Sequence, residues 1–268
     1  MKIMIMAGTT EGVKIIGMIA SLENTHIIAT TVTKEGGKLA KSAGAHEVVS
    51  KALNKEAIGE IIKSKKIDLL IDATHPFAED ATLNAIKATN NTGIKYLRFE
   101  RPSINFPEND LIHSVSSFED VASKVLEIIG SDNPRILHLA GVMTLHYLTQ
   151  VLNPDSIVTR VLPSVYSIKK CLDLGLPSEN IIAMQGIFSK EFNRILMQEY
   201  NIRIMITKES GDEGGTTSKI EAALELGIPV VMVMRPIASE VNNKTIFNNV
   251  NDLFTEIIQY SSIKLKEK

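Results

Sequence analysis

The stretch Asp68–Pro102, DLLIDATHPFAEDATLNAIKATNNTGIKYLRFERP, decides the fold because its design returns 134 positions later, without a gap, as Ile202–Pro236, IRIMITKESGDEGGTTSKIEAALELGIPVVMVMRP. Each copy reads as an apolar strand, a polar loop, a helix, Gly-Ile, a second apolar strand and Arg-Pro. The matched landmarks are Glu79/Glu213, Thr82/Thr216, Ile86/Ile220, Ala88/Ala222, Gly93/Gly227, Ile94/Ile228, Arg101/Arg235 and Pro102/Pro236. Upstream, Met4–Gly8 lies on Leu137–Gly141 at an offset of 133. The two offsets agree within one residue, so the chain is two α/β halves of common design. The expected domains are 1–102 and 103–268, and the loops that differ between copies, ATHPFAED and TKESGDEGG, are where function is sought.

Composition bounds the rest. With 268 residues and 44% hydrophobic content, the chain is long enough for two cores. A net charge of −2 provides no global field for nucleic acid or a membrane surface, so any anion site is local. The single Cys171 forms no internal disulfide and suits a reducing, cytoplasmic setting. The first apolar run, in MKIMIMAGTTEG, is too short for a signal sequence and reads as a buried strand. No His or Cys cluster has metal-ligand spacing, and no exposed apolar stripe marks an oligomer interface.

Lys2–Ala7 breaks at Gly8-Thr9-Thr10-Glu11-Gly12, and helical spacing follows at Val13, Ile16, Ile19 and Ala20. A strand, a tight turn and a helix start offer N–H groups and a dipole to an anion. The full Gly-x-Gly-x-x-Gly pattern is absent, so Gly8, Thr9, Thr10 and Glu11 form either a phosphate site or a plain turn. The second strand, His26–Val32, delivers Thr31, Thr33 and Lys34 with no acid to hold ribose hydroxyls. That favours NADPH, with NADH as the alternative, unless Lys34 is a solvated loop lysine. The strand Ile67–Asp72 brings Thr74 and His75 to the sheet edge on a loop stiffened by Pro76; His75 is either structural or in contact with a ligand. Arg98 and Arg101 reach a carboxylate or pair with Glu100 and Glu108. In the second half, Arg160 lies on a strand. Lys208, Ser210, Gly211, Gly214, Gly215, Thr216 and Lys219 then form a glycine-rich anion loop, and Arg235 closes the copy. The loop acids Glu209, Asp212 and Glu213 either pair with Lys208 and Lys219 or supply a proton.

AGTTEG (Ala7–Gly12), DATHPFA (Asp72–Ala78), RFERP (Arg98–Pro102), TKESG (Thr207–Gly211), Gly214-Gly215, KIEAA (Lys219–Ala223) and the final Arg235-Pro236 together resemble the precorrin-6A reductase family of cobalamin biosynthesis. The resemblance runs from Met1 to Pro236. Two loops depart from it: Gly141-Val142-Met143-Thr144 offers few polar groups, and Ile187 stands where the family shows Pro in Gly-Pro-Phe. The resemblance implies two Rossmann-like parallel-sheet domains with an interdomain cleft, and reduction of one C=C bond of a precorrin by a nicotinamide nucleotide. It implies the nucleotide on Gly8–Glu11, Thr31–Lys34 and the DATHPFA loop. The macrocycle's carboxylates would then fall to the arginines and to Lys208–Lys219. The added proton comes from His75, from a loop acid or from water. Two other readings fit the halves alone: a sugar-nucleotide transferase, which would ignore NADPH, and a non-catalytic tetrapyrrole carrier, which would not turn it over.

Overall fold

The uninterrupted apolar run KIMIMA forms strand β1 (Lys2–Ala7), whose last five residues are buried, as expected of a parallel strand covered on both faces. Its alternate side chains serve two cores. Ile3 and Ile5 pack with Ile15, Ile16 and Ile19 of helix α1 (Thr10–Ala20). Met4 and Met6 face Ile58 and Ile62 of α3 (Lys55–Lys65) and Ala85 and Ala88 of α4 (Glu79–Thr92). The computed structural model describes residues 1–104, 106–130, 132–236 and 246–266.

Around β1 the first sheet adds β2 (His26–Thr31), β3 (Glu47–Ser50), β4 (Leu69–Ala73), β5 (Lys95–Phe99) and β12 (Ile246–Phe247), in the order β12-β5-β4-β1-β2-β3. The second sheet uses β6 (Ile112–Val115), β7 (Arg135–His138), β8 (Ile157–Val161), β9 (Ile181–Ala183), β10 (Ile202–Lys208) and β11 (Val230–Val233), in the order β6-β11-β10-β7-β8-β9. Every pairing is parallel. Each order is the doubly wound one, reversing between β1 and β4 and between β7 and β10, where such sheets bind ligands at their carboxyl ends. The remaining helices are α2 (Lys34–Ser42), α5 (Glu119–Ile129), α6 (His146–Thr149), α7 (Val165–Asp173), α8 (Lys190–Glu199), α9 (Thr216–Glu225) and α10 (Val250–Lys266).

The sixth strand of each sheet comes from the other half. β6 follows the first repeat but pairs with β11, and β12 follows the second repeat but pairs with β5. The compact units are therefore Met1–Pro102 with Ile237–Lys268, and Ser103–Pro236. This corrects the expected second domain, 103–268. The physical reason is α10: Leu253 and Ile257 are fully buried among Ile3, Ile15 and Ile19, and each such burial contributes about 1.5–3 kcal/mol. The polar stretch Asn105–Ser114 runs into the edge strand β6, which begins at Ile112, and Asn105 itself lies outside the described residues. Residues 237–245 and the last two of the chain also lie outside them, and Ser261–Lys266 continue α10.

The repeat landmarks hold equivalent structural roles. Thr82 and Thr216 are both buried at a helix start and tie it back to the preceding strand: Thr82 donates to Asp72 Oδ2 at 2.8 Å, and Thr216 Oγ1 accepts from Ser210 N at 3.1 Å. Gly93 and Gly227 end their helices in the left-handed region. Arg101 and Arg235 each anchor a buried glutamate, Glu11 and Glu209 respectively.

Candidate active site

At the carboxyl edge of the first sheet, Thr9 caps α1. Its hydroxyl accepts from Gly12 N at 3.1 Å and donates to the Ala73 carbonyl at 3.0 Å, joining the end of β1 to the end of β4. Gly12 lets α1 approach that closely, since a Cβ there would stand 3.2 Å from Ala7 Cα. Gly8 and Thr10 are exposed at this corner, and nothing lies within 4 Å of where a Cβ on Gly8 would be. Glu11 is buried and takes Arg101 Nη2 on Oε2 at 2.7 Å, while its Oε1 is buried with no hydrogen-bond partner among the described residues. Arg101 therefore stands beside the helix corner of the first unit.

One strand along, Thr33 caps α2 by accepting from Gly36 N at 3.0 Å, and Thr31 donates to the Thr33 carbonyl at 3.0 Å. Lys34 is exposed at the first turn of α2, and Glu35 follows it. The residues of the corner and of α2 thus share one sheet edge, with the threonine hydroxyls committed to building it.

Thr74 and His75 extend the same edge from β4. Asp72 is fully buried; its Oδ1 accepts from Thr74 N at 3.0 Å and Thr74 Oγ1 at 2.7 Å. Its Oδ2 accepts from Arg98 Nη1 at 2.7 Å, Thr82 Oγ1 at 2.8 Å and Tyr96 OH at 2.9 Å. Arg98 is 3% exposed and also donates to Glu100 at 2.9 Å. Burial by itself would lower the Arg98 pKa, but Asp72 and Glu100 outweigh it and hold the guanidinium charged. Burial and Asp72 raise the Tyr96 pKa, keeping its hydroxyl a donor. Arg98 thus pairs with Glu100, one of its two expected roles, and is held within the framework of the sheet edge. His75 is half-buried, and its Nδ1 accepts from Phe77 N at 3.1 Å, so a neutral ring carries its hydrogen on Nε2.

In the second unit the loop after β10 is held from within. Glu209 is fully buried; its Oε1 accepts from Gly211 N at 3.0 Å, Ile104 N at 3.3 Å and Arg235 Nη2 at 3.1 Å. Ser210 Oγ and Thr216 Oγ1 lie 3.0 Å apart, and Asp212 accepts from Thr217. Gly211 and Gly215 have φ of +74° and +67°, which side chains rarely adopt. Arg235, Ser210 and Thr216 accordingly shape the loop, and the loop acids do not neutralise Lys219, whose Nζ donates to the Gly214 carbonyl at 2.9 Å. A pocket of about 450 Å³ opens beside the loop, lined by Ile187, Phe188, Asp212, Gly215, Ser218 and Glu221 among others.

Three of the expected residues do come together. Arg160 and Lys208 both act on Lys219, and burial, followed by these two charges, brings the Lys219 pKa down to about 7. Burial likewise brings Lys208 to about 8 and Arg160 to about 10. Arg160 lies over the Phe188 ring, 4.5 Å from its centroid, and donates to Asn193 Oδ1 at 3.0 Å. The sequence reading missed Asn193, which is buried in α8. It also missed His138, a fully buried ring between Thr159 and Thr144, held neutral with a pKa near about 3 by burial and then by Lys208. The available signal for His138 was a histidine inside the apolar run Arg135–Ala140.

A doubly wound sheet in each unit, one edge presenting a helix corner and the other a group of partly buried cations, defines a two-domain α/β protein suited to anionic ligands. The family model for precorrin-6x reductase CbiJ/CobK matches residues 2–257, and the chain belongs to that family, which is one of oxidoreductases. It is 43% identical to the cobalt-precorrin-6A reductase of Methanothermobacter thermautotrophicus over 97% of this chain and 84% of that protein. The cobalt-precorrin-6A reductase of Methanocaldococcus jannaschii is 35% identical, over 96% of this chain and 98% of that protein. Among solved structures, the CobK precorrin-6A reductase superposes with a TM-score of 0.73 at 19% identity, covering 97% of this chain and 96% of that one, which supports the fold.

Proposed function

We propose that this chain reduces cobalt-precorrin-6A at one C=C bond with NADPH, in the cytoplasm, holding the nucleotide on the first unit and the macrocycle's carboxylates on the second. The observation that carries this reading is the division of charge between the two sheet edges: an exposed helix corner in one unit, a partly buried group of cations in the other. The cobalt form of the substrate follows from the names of the two near-full-length relatives at 43% and 35% identity. The transferase and carrier readings account for neither that family nor its chemistry.

The first unit fits a dinucleotide on three counts. Gly8 and Thr10 leave the start of α1 open to a pyrophosphate. Glu11 Oε1 is a buried acceptor awaiting a donor, such as a hydroxyl or carboxamide. Lys34 stands where a ribose 2′-phosphate would lie. When bound, the nicotinamide supplies the hydride, and the protein's part is alignment and charge. Thr9 and Gly12 hold the corner rigid, and Thr74, fixed on Asp72, does the same for the neighbouring loop. His75 offers Nε2–H as a candidate proton source, with water as the alternative.

Lys34→Ala tests the nucleotide assignment. Loss of one charge partner to phosphate is expected to raise the NADPH dissociation constant about tenfold while leaving NADH within about twofold. An unchanged ratio of the two constants, read by fluorescence titration, would remove Lys34 from the site.

A further inference from the structure

The loop after β7 that departs from the family pattern, Gly141-Val142-Met143-Thr144, is poor in polar groups, and what it presents at the carboxyl edge of the second sheet is apolar. Gly141 turns the chain with φ of +95°, and Leu145 and Leu148 anchor it in the core. Thr144 Oγ1 donates to the Gly141 carbonyl at 2.9 Å and lies 3.1 Å from Nε2 of the buried His138. On a loop held in this way, Met143 is 58% exposed. The loop after β8 is built to the same end. Ser164 N donates to the Leu162 carbonyl at 2.8 Å, and the Ser164 hydroxyl caps α7 by accepting from Ser167 N at 3.1 Å. Val165 and Tyr166, on the first turn of α7, are 84% and 59% exposed, and Leu162 is 56% exposed. The two loops touch, with Tyr166 OH 3.2 Å from Met143 Sδ. Beyond Met143, whose carbonyl lies 2.9 Å from His146 Nδ1, the strip continues in rings: His146 and Tyr147 at 4.0 Å, then Tyr147 stacked on Phe118 at 6.2 Å. Single exposed apolar side chains are ordinary, but a contiguous group at the edge where doubly wound sheets bind ligands marks an interaction site.

We propose that Met143, Leu162, Val165 and Tyr166 form a platform for the flat face of the macrocycle, so that the second unit grips the ring by its face as well as by its carboxylates. This rests on the reading that the second unit holds the macrocycle. The ligand's chemistry divides in the same way, since a precorrin is an apolar conjugated disc with carboxylates around its rim. Thioether and aryl groups suit such a disc, the first because sulfur is polarisable and the second because the ring is itself flat. A cation stands close by for the rim: β8 (Ile157–Val161) carries Arg160 two residues before Leu162. That pairing of an apolar face with a neighbouring cation favours an anionic disc over a second protein surface as the occupant. The loop's fixed geometry, with Thr144 tied to Gly141 and Ser164 capping α7, lets the ring dock without first ordering the chain.

The test is titration of the full chain with cobalt-precorrin-6A, without nicotinamide nucleotide, followed by the macrocycle absorbance. Tyr166→Ser and Met143→Ser are each expected to raise the dissociation constant about tenfold. Tyr166→Phe, which keeps the face and loses only the hydroxyl, stays within about twofold of the parent. Apolar contact is not screened by salt, so the loss in Tyr166→Ser is the same at about 0.05 M and about 0.5 M salt. A separate NADPH titration, expected within about twofold of the parent for all three variants, reports that they are folded. Serine variants that bind the macrocycle as the parent does overturn this inference and leave the function standing, and so does a Tyr166→Phe variant as weak as Tyr166→Ser. A parent chain that sediments as a dimer and becomes monomeric on Val165→Ser, with its macrocycle affinity unchanged, would give the platform to a second copy and overturn the inference too. Failure of the parent chain to bind the macrocycle overturns both.

Discussion

Asp72→Ala is expected to cost about 3–5 kcal/mol of stability, seen as a fall of roughly 10–20 °C in Tm. Asp72 and Arg98 are register partners across β4 and β5, and both are buried. Removing the carboxylate strands a guanidinium with little access to water, and three further donors, Thr74, Thr82 and Tyr96, lose their acceptor at the same time. Glu100 remains beside Arg98 and holds part of its charge, which sets the lower end of the range. The cost lies in the uncompensated cation, so Asp72→Leu combined with Arg98→Met is expected to recover much of it. A single variant within about 1 kcal/mol of the parent by urea denaturation would show that the network does not hold this edge together.

Lys208→Ala is expected to raise the macrocycle's dissociation constant by about 30- to 150-fold, the equivalent of roughly 2–3 kcal/mol for a charged hydrogen bond lost in a half-buried place. The NADPH constant should stay within about twofold. Lys208 ends the strand at the centre of the second sheet, close enough to depress His138 and Lys219, so its charge belongs to the second unit's edge. Separate fluorescence titrations of the two ligands read the two constants. Equal losses would refute the proposed division of labour between the units.

The repeat made most of this fold legible, because its landmarks are fixed by local physics. A threonine ties each helix start to its strand, a glycine ends each helix in the left-handed region, and an arginine anchors a buried glutamate. The exchange of the sixth strands was not legible. β6 and β12 are four and two residues long, too short to show a period, and their partners are chosen by free sheet edges far away in the chain. The lysine loop drew notice through its glycines and charges, and the structure does place Lys208 and Lys219 with Arg160. Arg98 was left with two readings because a charge at a strand end reads the same whether it meets solvent or a buried acid. Only the pairing of β4 with β5, which sets Asp72 opposite Arg98, decides between them. His138 went unremarked because a single histidine in an apolar run gives no hint of its two threonine partners.

The most direct test is anaerobic mixing of the chain with NADPH and cobalt-precorrin-6A, following the nicotinamide and macrocycle absorbances together. Loss of one NADPH for each macrocycle converted is the result expected here. A macrocycle that binds while NADPH absorbance stays constant would contradict it.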